Sequence, residues 1–201
     1  MRYRRDDVVD RALVVLDDYG LADLTMRRLG AELGVQPSAL YHHFANKQAL
    51  LAAVADEILA RGPQHASPER WDDRVVAIGA DLRDALLAYR DGAEVVATVR
   101  AFGLGAAAPY DDLLAALADG GVPAGLAPVA ARTLLHFVLG HVGDEQTQLQ
   151  AASAGAIGDD PRESSDFATG LGIVVDGIRA ALGPDAGQDP TSWPGASARR
   201  R

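Results

Sequence analysis

The chain has 201 residues, 48% of them hydrophobic, with no cysteine and a formal net charge of −9. That length and hydrophobic share support a packed core, so disorder is not the default reading, while the missing cysteines exclude a disulfide scaffold, a thiolate zinc site and a cysteine nucleophile. A charged opening decade and the absence of any apolar run of spanning length predict a cytoplasmic protein with no secretory leader and no membrane partner.

Val8, Val9, Ala12, Leu13, Val15 and Leu16 recur at helical steps between charged residues and predict a first helix closed at Gly20. Asp23-Leu24-Thr25 offers a cap for a short helix over 26–33, which Gly34 closes. Pro37, whose missing N–H costs nothing in a first turn, opens a third helix over 37–44. A fourth begins near Asn46, carries Leu50, Leu51, Val54, Ile58 and Leu59 on one face, and is broken by Gly62-Pro63. Further helices are predicted over 71–89, 92–100, 110–118, 126–150 and 167–182, with an acidic loop over 154–165 and a frayed tail over 184–201. No strand-length alternation, repeat or heptad series occurs. The fold class is therefore all-α.

The negative charge is unevenly placed. Residues 1–47 hold seven of the 19 basic side chains (Arg2, Arg4, Arg5, Arg11, Arg27, Arg28 and Lys47) and seven of the 28 acids, so the whole surplus of acid lies beyond residue 47. An acidic body does not wrap nucleic acid, but a neutral end with focused arginines still can.

Within that end, a short helix, a glycine turn and a second short helix follow at the spacing of a helix-turn-helix, whose second helix enters the major groove. Leu29, Leu33, Val35, Leu40 and Phe44 are placed to pack inward, leaving Gln36, Ser38, Ala39, His42 and His43 outside. Small outward residues allow close approach to the groove floor, and the Ala39 methyl suits a thymine methyl. Lys47 and the N–H groups that open the fourth helix suit a phosphate.

The runs Leu24-Thr25-Met26-Arg27-Arg28-Leu29, Leu33-Gly34-Val35, Leu40-Tyr41-His42-His43-Phe44 and Asn46-Lys47 resemble the DNA-binding signature of the TetR family of transcriptional regulators. The resemblance implies base contacts from Arg27, Gln36, Pro37, Ser38 and Ala39, and phosphate contacts from Thr25, Tyr41, His43 and Lys47. Tyr89-Arg90-Asp91-Gly92-Ala93, Val138-Leu139-Gly140-His141-Val142 and Phe167-Ala168-Thr169-Gly170-Leu171 are similar to the tetracycline-repressor branch of that family. This implies an all-helical second domain that dimerises through a four-helix bundle, here 126–150 and 167–182, and binds an inducer in its core. The organisation expected is a DNA-binding domain over 1–47, a connecting helix over 48–65 and a ligand-binding and dimerisation domain over 66–183. The function implied is that of a homodimeric repressor released from operator DNA by a small molecule.

Several residues carry a plainer reading beside the functional one. Arginines on a short helix are ordinarily solvated, and Tyr41 is ordinarily a half-buried ring with its hydroxyl at the surface. His42 and His43 point apart on a helix, and His136 and His141 are five residues apart, so neither pair has zinc-helix spacing. No metal and no cofactor are expected. Trp71, Tyr89, Phe102, Tyr110 and Phe137 are more often core than ligand contacts, but they are the pool from which a cavity would be lined. Val96, Arg100, His136 and His141 complete the candidate ligand set, while Asp144 and Glu145 read as solvated or close to the dimer interface.

At the positions matching the branch's drug-holding and metal-reaching side chains, this chain has Pro63, Ile78 and Val96. Such side chains neither ligate a hard cation nor bond a drug's oxygens. The inducer expected is accordingly mostly apolar, with one acidic group near Arg100. An enzyme on a helical scaffold and a non-DNA interaction module are the competing readings. The first lacks a readable Ser-His-acid arrangement or phosphate-cradling glycine loop, and the second is opposed by Tyr41 and Lys47.

Overall fold

A computed structural model describes residues 3–64, 68–157 and 166–182. The tail predicted over 184–201 and residues 158–165 of the predicted loop lie outside the described residues. Among the described residues there are nine α-helices and no strand: α1 Arg5–Tyr19, α2 Met26–Glu32, α3 Pro37–Leu40, α4 Lys47–Arg61, α5 Trp71–Leu87, α6 Gly92–Ala101, α7 Ala108–Asp119, α8 Ala127–Ser153 and α9 Phe167–Ala181. None of these helices is long and apolar enough to cross a membrane.

Packing divides the chain into two compact units, one from residues 1–64, 81–107 and 139–159, the other from 65–80, 108–138 and 160–201. In the first unit α1 buries Val8, Val9, Ala12, Leu13, Val15 and Leu16, the face its periodicity predicts. It packs on α2 and α4, while α2 packs on α3 and α4 on α6. Leu24, Leu29 and Leu50 are fully buried there, each contributing on the order of 2 kcal/mol by leaving water. Gln146 is the polar centre of this unit. Its amide donates to the carbonyls of Leu86 (2.9 Å) and Tyr89 (2.8 Å) and accepts from the Ala93 N–H (3.1 Å), joining the end of α5 and the start of α6 to α8. Arg83 and Glu145 form a two-point ion pair between α5 and α8, with Nε to Oε2 at 3.0 Å and Nη2 to Oε1 at 2.5 Å. Glu145 is thus a paired carboxylate, and the solvated alternative of its sequence reading does not hold; the pairing was not legible because Arg83 lies 62 residues away.

In the second unit α9 buries Phe167, Leu171, Val175 and Ile178 along one stripe. Asp72, only 1% exposed, anchors this helix. Its carboxylate accepts from Arg70 Nη2 at 2.9 Å, from Arg179 Nε at 2.9 Å and Nη2 at 2.5 Å, and from the Asp73 N–H at 3.0 Å. The hydrogen bonds from Arg70 and then Arg179 hold this carboxyl well below the usual carboxylate range. A depressed native pKa stabilises the fold above the unfolded value, near 4, and that stability drains away as pH falls below it. Asp72→Asn will therefore lower the melting temperature at pH 7, and the gap between variant and wild type will narrow as the pH is stepped from 4 towards 2. Thermal unfolding followed by circular dichroism checks this; a gap constant with pH would mean the charge is not what matters.

Candidate nucleic-acid interface

The helix-turn-helix is set by two close approaches of backbone. At Gly30 a Cβ would stand 2.9 Å from the Val35 carbonyl and 3.3 Å from the Pro37 nitrogen, so only glycine lets α2 lie this near the start of α3. The Val35 N–H closes on the Gly30 carbonyl at 2.9 Å, and Gly34 turns the chain with φ at +65°. Thr25 caps α2, its hydroxyl oxygen accepting from the Arg28 N–H at 3.1 Å. The hydroxyl proton remains available to a phosphate.

The paired arginines separate cleanly. Arg28 lies over the Tyr19 ring at 3.5 Å and pairs with Asp23 at 3.2 Å, so its charge is already committed. Arg27 is exposed, on the side of α2 that the core does not use. Beyond the turn, Gln36 stands at the N-cap of α3, followed by Pro37, exposed Ser38 and half-buried Ala39, while Leu40 and Phe44 are each 2% exposed and point inward. Val35, expected inside, is half-buried.

Two expectations need correction. The α-helix of α3 ends at Leu40 rather than continuing to Phe44, since residues 41–43 form turns in which the His43 and Phe44 N–H groups both bond the Leu40 carbonyl, at 2.9 and 3.0 Å. Tyr41 is 52% exposed, not a half-buried ring. The tightened end leaves it among the exposed residues, beside exposed His42 and half-buried His43. Asn46 then caps α4 by accepting from the Ala49 N–H at 2.8 Å, and Lys47 takes the first helical position. The first N–H groups of a helix have no partner within it, so they and Lys47 together present positive charge to an anion. Thr25, Arg27, Gln36, Pro37, Ser38, Ala39, Tyr41, His43 and Lys47 thus all belong to the first packing unit, the polar ones among them exposed or half-buried.

Candidate ligand contacts are distributed less simply. In the first unit, Val96 is fully buried in α6 and Tyr89 and His141 are half-buried, but Phe102 is 62% exposed. Arg100, expected to orient a ligand, donates through Nη1 to the Ala106 carbonyl at 2.5 Å, and the Ala106 N–H bonds Asp56 Oδ1 of α4 at 2.7 Å. In the second unit Tyr110 is half-buried, His136 exposed and Ile78 half-buried. The rings of Trp71 and Phe137 fill space left by glycines, a Cβ at Gly120 or Gly170 standing 2.4 and 2.6 Å from them. Phe137 also meets the Phe167 ring at 5.7 Å. Among the described residues no group of three His, Asp or Glu side chains is arranged to hold a metal.

Sequence reading missed the polar joint that seats the α1–α2 loop. Asp91, in the left-handed region at φ +56°, accepts from the Leu21 N–H at 2.8 Å and from Gln150 Nε2 at 2.6 Å, while the Arg90 N–H donates to Asp17 at 3.1 Å. The partners lie 59 to 73 residues apart, which no local pattern encodes.

Comparison with known proteins agrees with this geometry. Residues 8–54 match the family described as bacterial regulatory proteins, tetR family, and residues 63–164 match the tetracyclin repressor-like C-terminal domain. The class A tetracycline repressor from transposon 1721 of Escherichia coli is 37% identical, covering 90% of this chain and 96% of its own length. A crystal structure of Mycobacterium smegmatis BioQ is 43% identical, covers 89% of this chain and 98% of that one, and superposes with a TM-score of 0.82. BioQ bound to its natural double-stranded DNA operator is 40% identical, covers 89% of this chain and 99% of that one, and superposes with a TM-score of 0.75. A helix-turn-helix with Arg27, Gln36 and Ser38 exposed, and both halves of the chain matching one family, lead to a single assignment: the chain belongs to the TetR family, as a DNA-binding, ligand-responsive transcriptional repressor.

Proposed function

We propose that the protein works in the cytoplasm as a homodimer on an operator with two inverted half-sites, reading bases with Arg27, Gln36, Pro37, Ser38 and Ala39. Thr25, Tyr41, His43 and Lys47 hold the phosphates, and no catalysis takes place. The observation that carries this reading is the outward α3 edge next to Lys47 at the N-terminus of α4. Residues 1–47 form the reading head, 48–65 connect it, and 66–183 bind the inducer and the second protomer. Release is a population shift: the inducer binds better to the state whose recognition helices no longer match the operator, and without that difference nothing moves. The test is gel retardation by the full chain on its own upstream DNA, with an unrelated duplex as competitor; equal retention of both would remove operator recognition.

The inducer is a mostly apolar molecule bearing an acidic group, contacted from among Trp71, Tyr89, Val96, Arg100, Phe102, Tyr110, His136, Phe137 and His141. Val96 is fully buried and Ile78 half-buried, and neither offers a donor to a metal chelate. Tetracycline with magnesium will therefore leave the operator complex intact at concentrations that saturate a tetracycline repressor. Trp71 fluorescence and fluorescence anisotropy of labelled operator check this together, and magnesium-dependent release of the DNA would overturn it.

A further inference from the structure

We propose that Arg5, at the start of α1, is an additional DNA contact: its guanidinium binds an operator phosphate adjoining the one taken by Lys47. The proposal rests on the DNA-binding reading above and adds a residue outside the helix-turn-helix. The guanidinium of Arg5 lies over the Phe44 ring, 4.8 Å from its centroid. Phe44 is 2% exposed and cannot reach DNA itself, but it directly follows Tyr41, His42 and His43 and precedes Lys47 by three residues. A positive charge resting on that ring is therefore held at the edge where the phosphate contacts gather.

What is held there is also uncommitted. Asp6, Asp10, Asp56 and Glu57 line a groove with Arg5, yet among the described residues no carboxylate forms an ion pair with it. Arg28 makes the contrast, because it too lies over a ring but Asp23 neutralises it. Of the nearby acids, Asp10 pairs with Arg61, Asp56 bonds the Ala106 N–H, and Asp7 accepts from the Arg4 N–H at 2.7 Å, where the positive end of α1 offsets its charge. Resting on an aromatic face keeps the guanidinium ordered without removing its N–H donors, so a phosphate meets a partly pre-arranged partner at reduced entropic cost.

The experiment measures the salt dependence of binding, between 50 and 200 mM salt, of the full-length protein to two labelled duplexes of about 30 base pairs, one from its own upstream region and one unrelated. Each phosphate contact contributes about 0.9 to the slope of log affinity against log salt, so Arg5→Ala will reduce the slope by about 1.8 for the dimer, alike on both duplexes. Arg5→Lys, which keeps the charge, will retain the wild-type slope. Arg5→Met covers Phe44 without charge and will behave as the alanine variant does. Arg11→Ala, exposed farther along α1, will leave the slope unchanged. A wild-type slope in both Arg5→Ala and Arg5→Met overturns the proposal, and so does a slope restored by methionine, which would assign Arg5 to packing alone. A wild-type protein that binds neither duplex overturns the DNA-binding reading itself, which the first outcome leaves standing.

Discussion

Arg27→Ala will weaken operator binding by about 2–6 kcal/mol when both half-sites lose the contact, at about 1–3 kcal/mol for each bidentate base pair read by a guanidinium. In affinity this is roughly a 30-fold loss or more, accompanied by relaxed preference at one symmetric pair of operator positions. The reason lies in how α2 uses its two arginines. Arg28 is engaged by Tyr19 and Asp23, whereas Arg27 is exposed and keeps its donors for a ligand. Arg28→Ala is the informative companion. It removes the stacking and ion-pair contacts within the reading head, so it will lower the melting temperature while leaving base preference in place. Binding measured on the operator and on single-position variants separates the two effects. If Arg27→Ala bound every variant as the wild type does, the base contact would belong to another residue.

Periodicity carried most of this architecture, and its reach has a physical limit. Spacing of apolar residues identifies which face of a helix is buried, so the inward side chains of α1 and, Leu59 apart, those named for α4 were legible. So were helix ends marked by local chemistry, such as Asn46, Pro37 and Gly34, because caps and tight turns depend on residues only a few positions apart. Spacing does not identify partners. Asp72 reads as one of two acids in a first turn, and only folding brings Arg179 to it across 107 positions. Gln146 reads as an ordinary polar residue of a long helix, although it ties α5, α6 and α8 together.

The proposed interface residues show the same division. Gln36, Ser38 and His42 are exposed where the pattern puts them, while Ala39 and His43 are half-buried. Tyr41 departs from expectation because α3 stops at Leu40, and in the turn that follows the residue is 52% exposed. Arg5 was visible only as one of seven basic residues. Its position over Phe44 depends on how α1 packs against the end of the helix-turn-helix, which no local pattern encodes.

Ile173→Asp will convert the dimer to a monomer and lower operator affinity by about 100-fold or more, the order of enhancement that linking two binding modules supplies. α9 buries Leu171, Val175 and Ile178 against its own unit, but Ile173 is 68% exposed on a different face. Gly172 and Gly177 leave open space beside that helix, so a second helix can approach closely without clash. In α8, Val129 is likewise 49% exposed. Exposed apolar side chains on both α8 and α9 are the surface expected to meet a partner, and the partner in a homodimer is the same face of a second chain. Two-fold symmetry then brings two copies of any substituted residue into one interface. Aspartate at position 173 would place a pair of carboxylates there with no cation to meet them, and burying an unpaired charge costs far more than burial of the isoleucine side chain contributes. Because Ile173 is largely free of its own chain, the variant will keep its helical circular dichroism, which distinguishes lost assembly from lost folding. Light scattering at micromolar concentration will return the 21.1 kDa chain mass for the variant and twice that for the wild type. A variant that stays dimeric and binds operator as the wild type does would move the dimer interface away from this face of α9.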